Sequence, residues 1–230
     1  MKKYLVKYLL EFIVIVTGIS ISFYVEKQNA IQYKEELKEE SLKKLKSNLH
    51  KELEGLHFDY KVHSTAKKYS DILYKKGLEL YKDNKDSLGF YLSFLKDAGT
   101  VFVENDEEYS ALINSGLIEL IENRKLVTLL QEKYSDQTWY IKNNDLLLEM
   151  YLRDESFNKF FESKNRRKHK NIIGYWTSYR NDMRYLNDVE INKISQSGLA
   201  YSLYANLMNR AIEQDSLIIK EIEKELIKND

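Results

Sequence analysis

Residues 8–24 read YLLEFIVIVTGISISFY, an apolar run whose one acidic side chain is Glu11. At about 1.5 Å rise per residue the run spans roughly 25 Å as a helix, slightly less than a hydrocarbon core of about 30 Å. Lys2, Lys3, Tyr4 and Lys7 before it and Tyr24 at its end supply the snorkelling cations and amphipathic rings that complete such a crossing at the interface. The stretch therefore reads as one transmembrane helix over 8–25, preceded by a short basic tail over 1–7. A cleaved secretory signal also starts basic and apolar, but this run contains Glu11 and is followed by FYVEKQNA, without an A-x-A-like pair of small residues.

Beyond the run the chemistry changes. Lys+Arg and Asp+Glu both number 36 in 230 residues, so no global field favours nucleic acid or an acidic partner. The absence of cysteine excludes disulfides, thiol catalysis and zinc–thiolate centres. Nothing forces a helix to break, because there is no proline, and 31% charged residues interleaved with Leu, Ile and Tyr favour long amphipathic helices. The expected fold class is all-α: the transmembrane helix continues into a long helix, and residues 26–230 form a helical-bundle soluble domain.

Within the run the polar and small residues are not scattered. At about 100° per residue, Glu11 to Gly18 is about 700° and Glu11 to Ser22 about 1100°, so the three share one stripe within about 20°. Asn29 extends it, and the other directions are mostly Ile, Val, Leu and Phe. Gly18 and Ser22 form a small-xxx-small pair that admits a second helix, and a carboxyl inside an apolar run favours a partner over lipid. The stripe reads as a helix–helix interface, with the membrane and either a second copy or another membrane protein as partners. Other readings stay open: Glu11 snorkels beside Lys7, or it titrates in an ion-handling complex, and the small face is left unused.

Leu37, Leu42, Leu45, Leu49, Leu53, Leu56 and Tyr60 recur at mostly three- and four-residue intervals and predict a long helix over 27–82, with Gly55 and His63-Ser64-Thr65 as places for a bend. Its apolar face suits a member of an intramolecular bundle or a coiled-coil stalk. Ser87 is the expected cap of a short helix ending at Gly99, and Thr100 to Val103 an extended connector. Asn105 with Glu108 resembles a capping box, and Gly116 fits a left-handed helix end. These open a central helical hairpin over 105–161. Asn187 with Glu190 again predicts a start, here of a C-terminal helix over 188–227.

The spacing of Glu11, Gly18, Ser22 and Asn29, together with residues 107–134, EEYSALINSGLIELIENRKLVTLLQEKY, resembles an uncharacterised family of single-span bacterial membrane proteins with a helical soluble domain. Tyr109, Leu112, Ser115, Gly116, Ile121, Leu126 and Tyr134 are similar to that family's central hairpin. The sequence departs from the family after the span, where VEKQNA stands in place of a Trp-containing segment. The resemblance implies a membrane address and a helical domain, and it carries no chemistry. The expected location is the bacterial inner membrane, single-pass. Moving the short basic tail outward is disfavoured, whereas a long domain is translocated largely regardless of charge, so the soluble domain is expected in the periplasm.

A search for chemistry returns little. His50, His57, His63 and His169 include no pair at the i+3 or i+4 spacing of a metal site on one helix face. No nucleophile elbow, phosphate loop or dinucleotide glycine pattern occurs. The expectation is a non-enzymatic protein with no cofactor, no metal and no nucleic-acid partner. Lys164, Arg166, Arg167, Lys168 and Lys170, followed by Tyr175, Trp176 and Tyr179, form the densest basic run. It reads as a solvated loop or as a polyanion or headgroup contact.

Overall fold

The structure is a computed structural model that describes residues 2–100, 102–138, 140–142, 159–160, 167–168, 178–179 and 181–227. Its frame is α1 (Lys2–Asp83), a helix of 82 residues. The helix continues through Gly55 and through His63-Ser64-Thr65, where the Ser64 and Thr65 hydroxyls both donate to the Lys61 carbonyl, at 3.2 and 2.7 Å. Such back-bonding satisfies the hydroxyls without opening the turn. From Lys7 to Lys34 every side chain is exposed, Leu9, Leu10, Phe12, Ile13 and Val14 among them. Burial begins at Lys38 and Leu42, where one face of the helix acquires neighbours.

Asn84 ends α1 and starts α2 (Lys85–Asp97), its Oδ1 accepting from the Ser87 N–H at 3.0 Å. The cap is thus Asn84 rather than Ser87, because α2 already begins at Lys85 and Ser87, inside its first turn, donates its own N–H to the Asn84 side chain. The helix stops at Asp97, before Gly99. α3 (Glu107–Asn114) follows a connector, and the Asn105–Glu108 box is not its opening. Asp106 takes the cap position, so Asn105 lies one residue further out and accepts from Glu107 N at 3.3 Å, an Asx-type turn. Gly116 adopts the left-handed conformation, φ 71°, as its place after α3 requires. A 3-10 turn over Leu117–Leu120 leads to α4 (Arg124–Glu132), capped by Asn123 Oδ1 on Leu126 N at 3.2 Å.

α4 widens into a π turn, Lys133–Gln137, and helix resumes at 138 and 140–142. The remainder of the helix expected to 161 lies outside the described residues, apart from 159–160. β1 (Arg167–Lys168) and β2 (Ser178–Tyr179) make a two-residue antiparallel pairing, Arg167 opposite Tyr179. α5 (Asp188–Ile227) opens with the reciprocal bonds of a capping box: Glu190 N donates to Asn187 Oδ1 at 2.9 Å and Asn187 N to Glu190 Oε2 at 3.1 Å. Apart from turns, connectors and the short β pairing, the described residues are helical, and the chain is all-α.

α5 runs antiparallel to α1, since Lys46 meets Glu223 while Ser70 meets Ile194. Two apolar cores form along this pair. The near core joins Leu42, Leu45 and Leu49 of α1 to Leu112, Leu126 and Leu130 and to Ile218, Ile219 and Ile222 of α5. The far core joins Leu56, Val62, Ala66 and Leu73 to Leu88, Leu92, Phe94 and Leu95 of α2 and to Ile194, Tyr201, Tyr204 and Met208. Each fully buried Leu or Ile contributes about 1.5–3 kcal/mol relative to exposure, so packing, not helix propensity, fixes α5 and the part of α1 from Leu42 onward.

Candidate functional site

Glu11, Gly18 and Ser22 lie exposed on one helix. Ser22 Oγ donates to Gly18 O at 3.0 Å, and a Cβ at Gly18 would have nothing within 4 Å. The hydroxyl is therefore satisfied by its own helix, and the face around Gly18 is flat and unoccupied. Glu11 is left with Lys7, whose Nζ is 3.8 Å away across an exposed i,i+4 pair, a contact worth under about 1 kcal/mol in water. Of the basic run, Lys164, Arg166 and Lys170 lie outside the described residues, and for Arg167 and Lys168 the backbone alone is described, in β1.

The most unusual chemistry lies elsewhere, between the two cores. Lys133, at the start of the π turn, has 2% side-chain exposure, and its Nζ is 2.7 Å from Glu52 Oε1 of α1 and 2.7 Å from Asp215 Oδ1 of α5. Those carboxylates are 5% and 0% exposed. Their other oxygens, Glu52 Oε2 and Asp215 Oδ2, are buried without a hydrogen-bond partner. The wide turn is closed by the Thr138 N–H on Lys133 O, and Thr138 Oγ1 lies 3.0 Å from the same carbonyl and 2.5 Å from Glu104 Oε1. Glu104 is held in turn by Lys142 Nζ at 2.7 Å. Tyr134 stacks on Tyr109, rings 4.3 Å apart, which shields the cluster on that side. Burial pushes the Glu52 carboxyl up to about 6 and also raises Asp215, the Lys133 ammonium opposing both.

Two further polar sites brace the fold. Glu225 accepts from the N–H groups of Glu122 and Asn123 at 2.8 and 2.9 Å, a carboxylate at the positive end of α4. Glu221 accepts from Lys224, Asn123 and Lys125, donors that hold its carboxyl at about 2. In the far core His63 is fully buried, Nε2 2.8 Å from Thr100 Oγ1 and its ring 4.2 Å from that of Tyr204. Its Nδ1 has no partner, and burial lowers its pKa to about 3. No group of His, Asp and Glu among the described residues is arranged to hold a metal ion.

Sequence reasoning passed over the Glu52–Lys133–Asp215 cluster, although a signal was present. Glu52 follows Leu49 by three residues and precedes Leu56 by four; Asp215 follows Ile212 by three and precedes Ile219 by four; Lys133 follows Leu130 by three. A charge of each sign at the apolar spacing marks ions that face a core. No protein family, curated protein or solved structure matches this chain.

Proposed function

We propose that this chain is a single-pass, non-enzymatic membrane protein of the bacterial inner membrane, with its helical bundle in the periplasm acting as a protein-interaction or sensor-like scaffold module. The observation that carries the reading is the character of α1: one helix long and apolar enough to cross a membrane, exposed on all sides from Lys7 to Lys34 and continuous with the segment that packs both cores. A continuous helix transmits displacement or rotation between bilayer and bundle where a flexible linker would not. The Glu11, Gly18, Ser22 stripe is the surface through which the span meets a second copy or another membrane protein, since Gly18 leaves its face open to close approach. A second reading rests on Glu11, whose carboxylate has a loose contact with Lys7: the chain is an accessory subunit of an ion-driven or transport membrane complex that uses Glu11.

Detergent extraction and affinity capture of the full chain, wild type against Gly18→Leu, tests the interface. The substitution is expected to reduce recovered partner or homo-oligomer at least several-fold while the thermal midpoint of the bundle stays unchanged. Equal recovery in both would reduce the stripe to a lipid anchor. Recovery without detergent would overturn the membrane reading, and a carboxy-terminal reporter active in the cytoplasm would reverse the topology. Glu11→Gln with assembly retained and ion-linked activity lost selects the second reading.

A further inference from the structure

We propose that Glu52, Lys133 and Asp215 form a proton-binding site at the joint between the two cores, empty above neutral pH and filled by one proton under mildly acidic conditions, so that acidity tightens the joint. The geometry shows a charge imbalance. Two carboxylates at 5% and 0% exposure share one ammonium, leaving one buried negative charge uncompensated when all three are ionised. Lys133 engages one oxygen of each carboxylate, and both second oxygens stand buried and without a partner. A proton on either is the smallest change that removes the excess charge, and an unpaired buried charge is the costliest state available there.

Among the described residues no second cation joins Lys133 at the two carboxylates. From the connector before α3, Glu104 faces the cluster and adds negative potential, and it is engaged by Lys142; Asp106 adds to the field at Tyr134. Tyr134, on the π turn itself, is raised by burial and stays neutral. Burial, with Asp215 and Glu104 adding to it, outweighs Lys133 and lifts Glu52 to about 6. The sign follows from linkage. The folded chain binds the proton more tightly than the unfolded one, so stability from this site is full below about pH 4.5 and is lost as pH rises through about 6. From well below pH 4.5 to well above pH 6 the folding equilibrium shifts by about 30-fold in all. The joint is the place where such a change matters: Glu52 separates Leu49 of the near core from Leu56 of the far core, and Asp215 separates Ile218 from Ala211.

Full-length protein in detergent micelles, wild type against Glu52→Gln and Asp215→Asn, gives the test. Gln and Asn keep the shape and leave Lys133 an oxygen while removing one negative charge. Denaturant midpoints between pH 4.5 and 7.5 should show Glu52→Gln gaining on wild type as pH rises, by about 15-fold in the folding equilibrium across that range. The difference between variants carries the test, because His63 contributes a slope of opposite sign in both. A Glu52→Gln variant less stable than wild type by the same factor at every pH would make the cluster a fixed ion pair and overturn the proposal. An independent measurement on the wild type covers a variant that fails to fold. A side-chain carboxyl carbon resonance titrating near pH 6 is expected, and carboxyls that all titrate below about pH 5 would overturn the proposal equally.

Discussion

The near and far cores lie on the same two helices, yet they handle their buried polar groups in opposite ways. The near core is aliphatic and bounded by ions: Lys38 with Glu35 and Glu225 at one end, Lys133 with Glu52 and Asp215 at the other. The far core adds aromatic rings to its aliphatic side chains, with Tyr69 against Phe94, Tyr201 bonded to the Leu95 carbonyl, and a neutral His63 between Tyr201 and Tyr204. Buried ions keep their charge where a counter-ion sits within bonding distance; a lone buried imidazole gives its charge up. The consequence is a chain whose two halves respond to acid with opposite signs. Falling pH relieves the charge excess beside the near core and penalises the neutral histidine in the far one.

Removing the shared cation should break this comparison most severely. Lys133→Met leaves Glu52 and Asp215 buried with no ammonium between them, and breaking a buried pair in this way costs about 3–5 kcal/mol. Denaturant unfolding at pH 7.5 should register that loss. The same variant at pH 5 should lose clearly less, because both carboxyls then take up protons. A loss that is equal at the two pH values would mean that water reaches the cluster and screens it.

The opposing half is sharpened by acid itself. His63 has its folded pKa lowered to about 3 from 6.5. Its contribution is therefore complete above about 6.5, and it falls by about 1.4 kcal/mol for each pH unit below that as the unfolded chain alone takes the proton. Between pH 7 and 4 the expected loss is about 3 kcal/mol, partly offset by Glu52 between about 6 and 4.5. His63→Phe keeps the ring against Tyr204 and cannot titrate. It should be less stable than wild type at pH 7.5, having lost the Thr100 bond, and overtake it by about pH 4. A constant difference between the two proteins across that range would show that the folded chain protonates His63 freely.

What the sequence made legible follows from how local each signal is. Helix starts such as Asn187 with Glu190 are written within four residues, and both of their hydrogen bonds are present. The all-α class follows from the absence of proline and the three-to-four spacing of Leu and Ile. Caps went astray by one to three residues where several Asn, Asp and Ser compete, as at Asn84 and Asp106, since composition cannot rank neighbouring residues that could each open the helix. The charge cluster was hidden for a different reason. Its members are 81 and 82 residues apart along the chain, so no local pattern pairs them, and a lone charge on an apolar stripe is easily assigned to the helix flank. The Glu11, Gly18, Ser22 stripe was legible because all of it lies on one helix, and for the same reason it says nothing of what lies opposite.

Gly18 and Gly198 both sit within long helices, but a Cβ at Gly18 meets nothing within 4 Å, whereas one at Gly198 would lie 2.4 Å from Ser70 Oγ and 2.9 Å from Ser70 Cβ. Ser70 cannot swing away freely, because its hydroxyl donates to Ile194 O at 2.7 Å across the α1–α5 contact. In the far core, then, the approach of the two helices is set by a missing side chain, while in the near core it is bridged by Lys133. Gly198→Ala should force the helices apart or break the Ser70 bond, costing about 1–3 kcal/mol, even though Ala is the better helix former by about 1 kcal/mol. The pairing Gly198→Ala with Ser70→Ala relieves the clash with Oγ and should recover part of the loss in a double-mutant cycle. A stabilising Gly198→Ala would show that propensity wins at this crossing, and that the far core tolerates a wider helix separation than its packing implies.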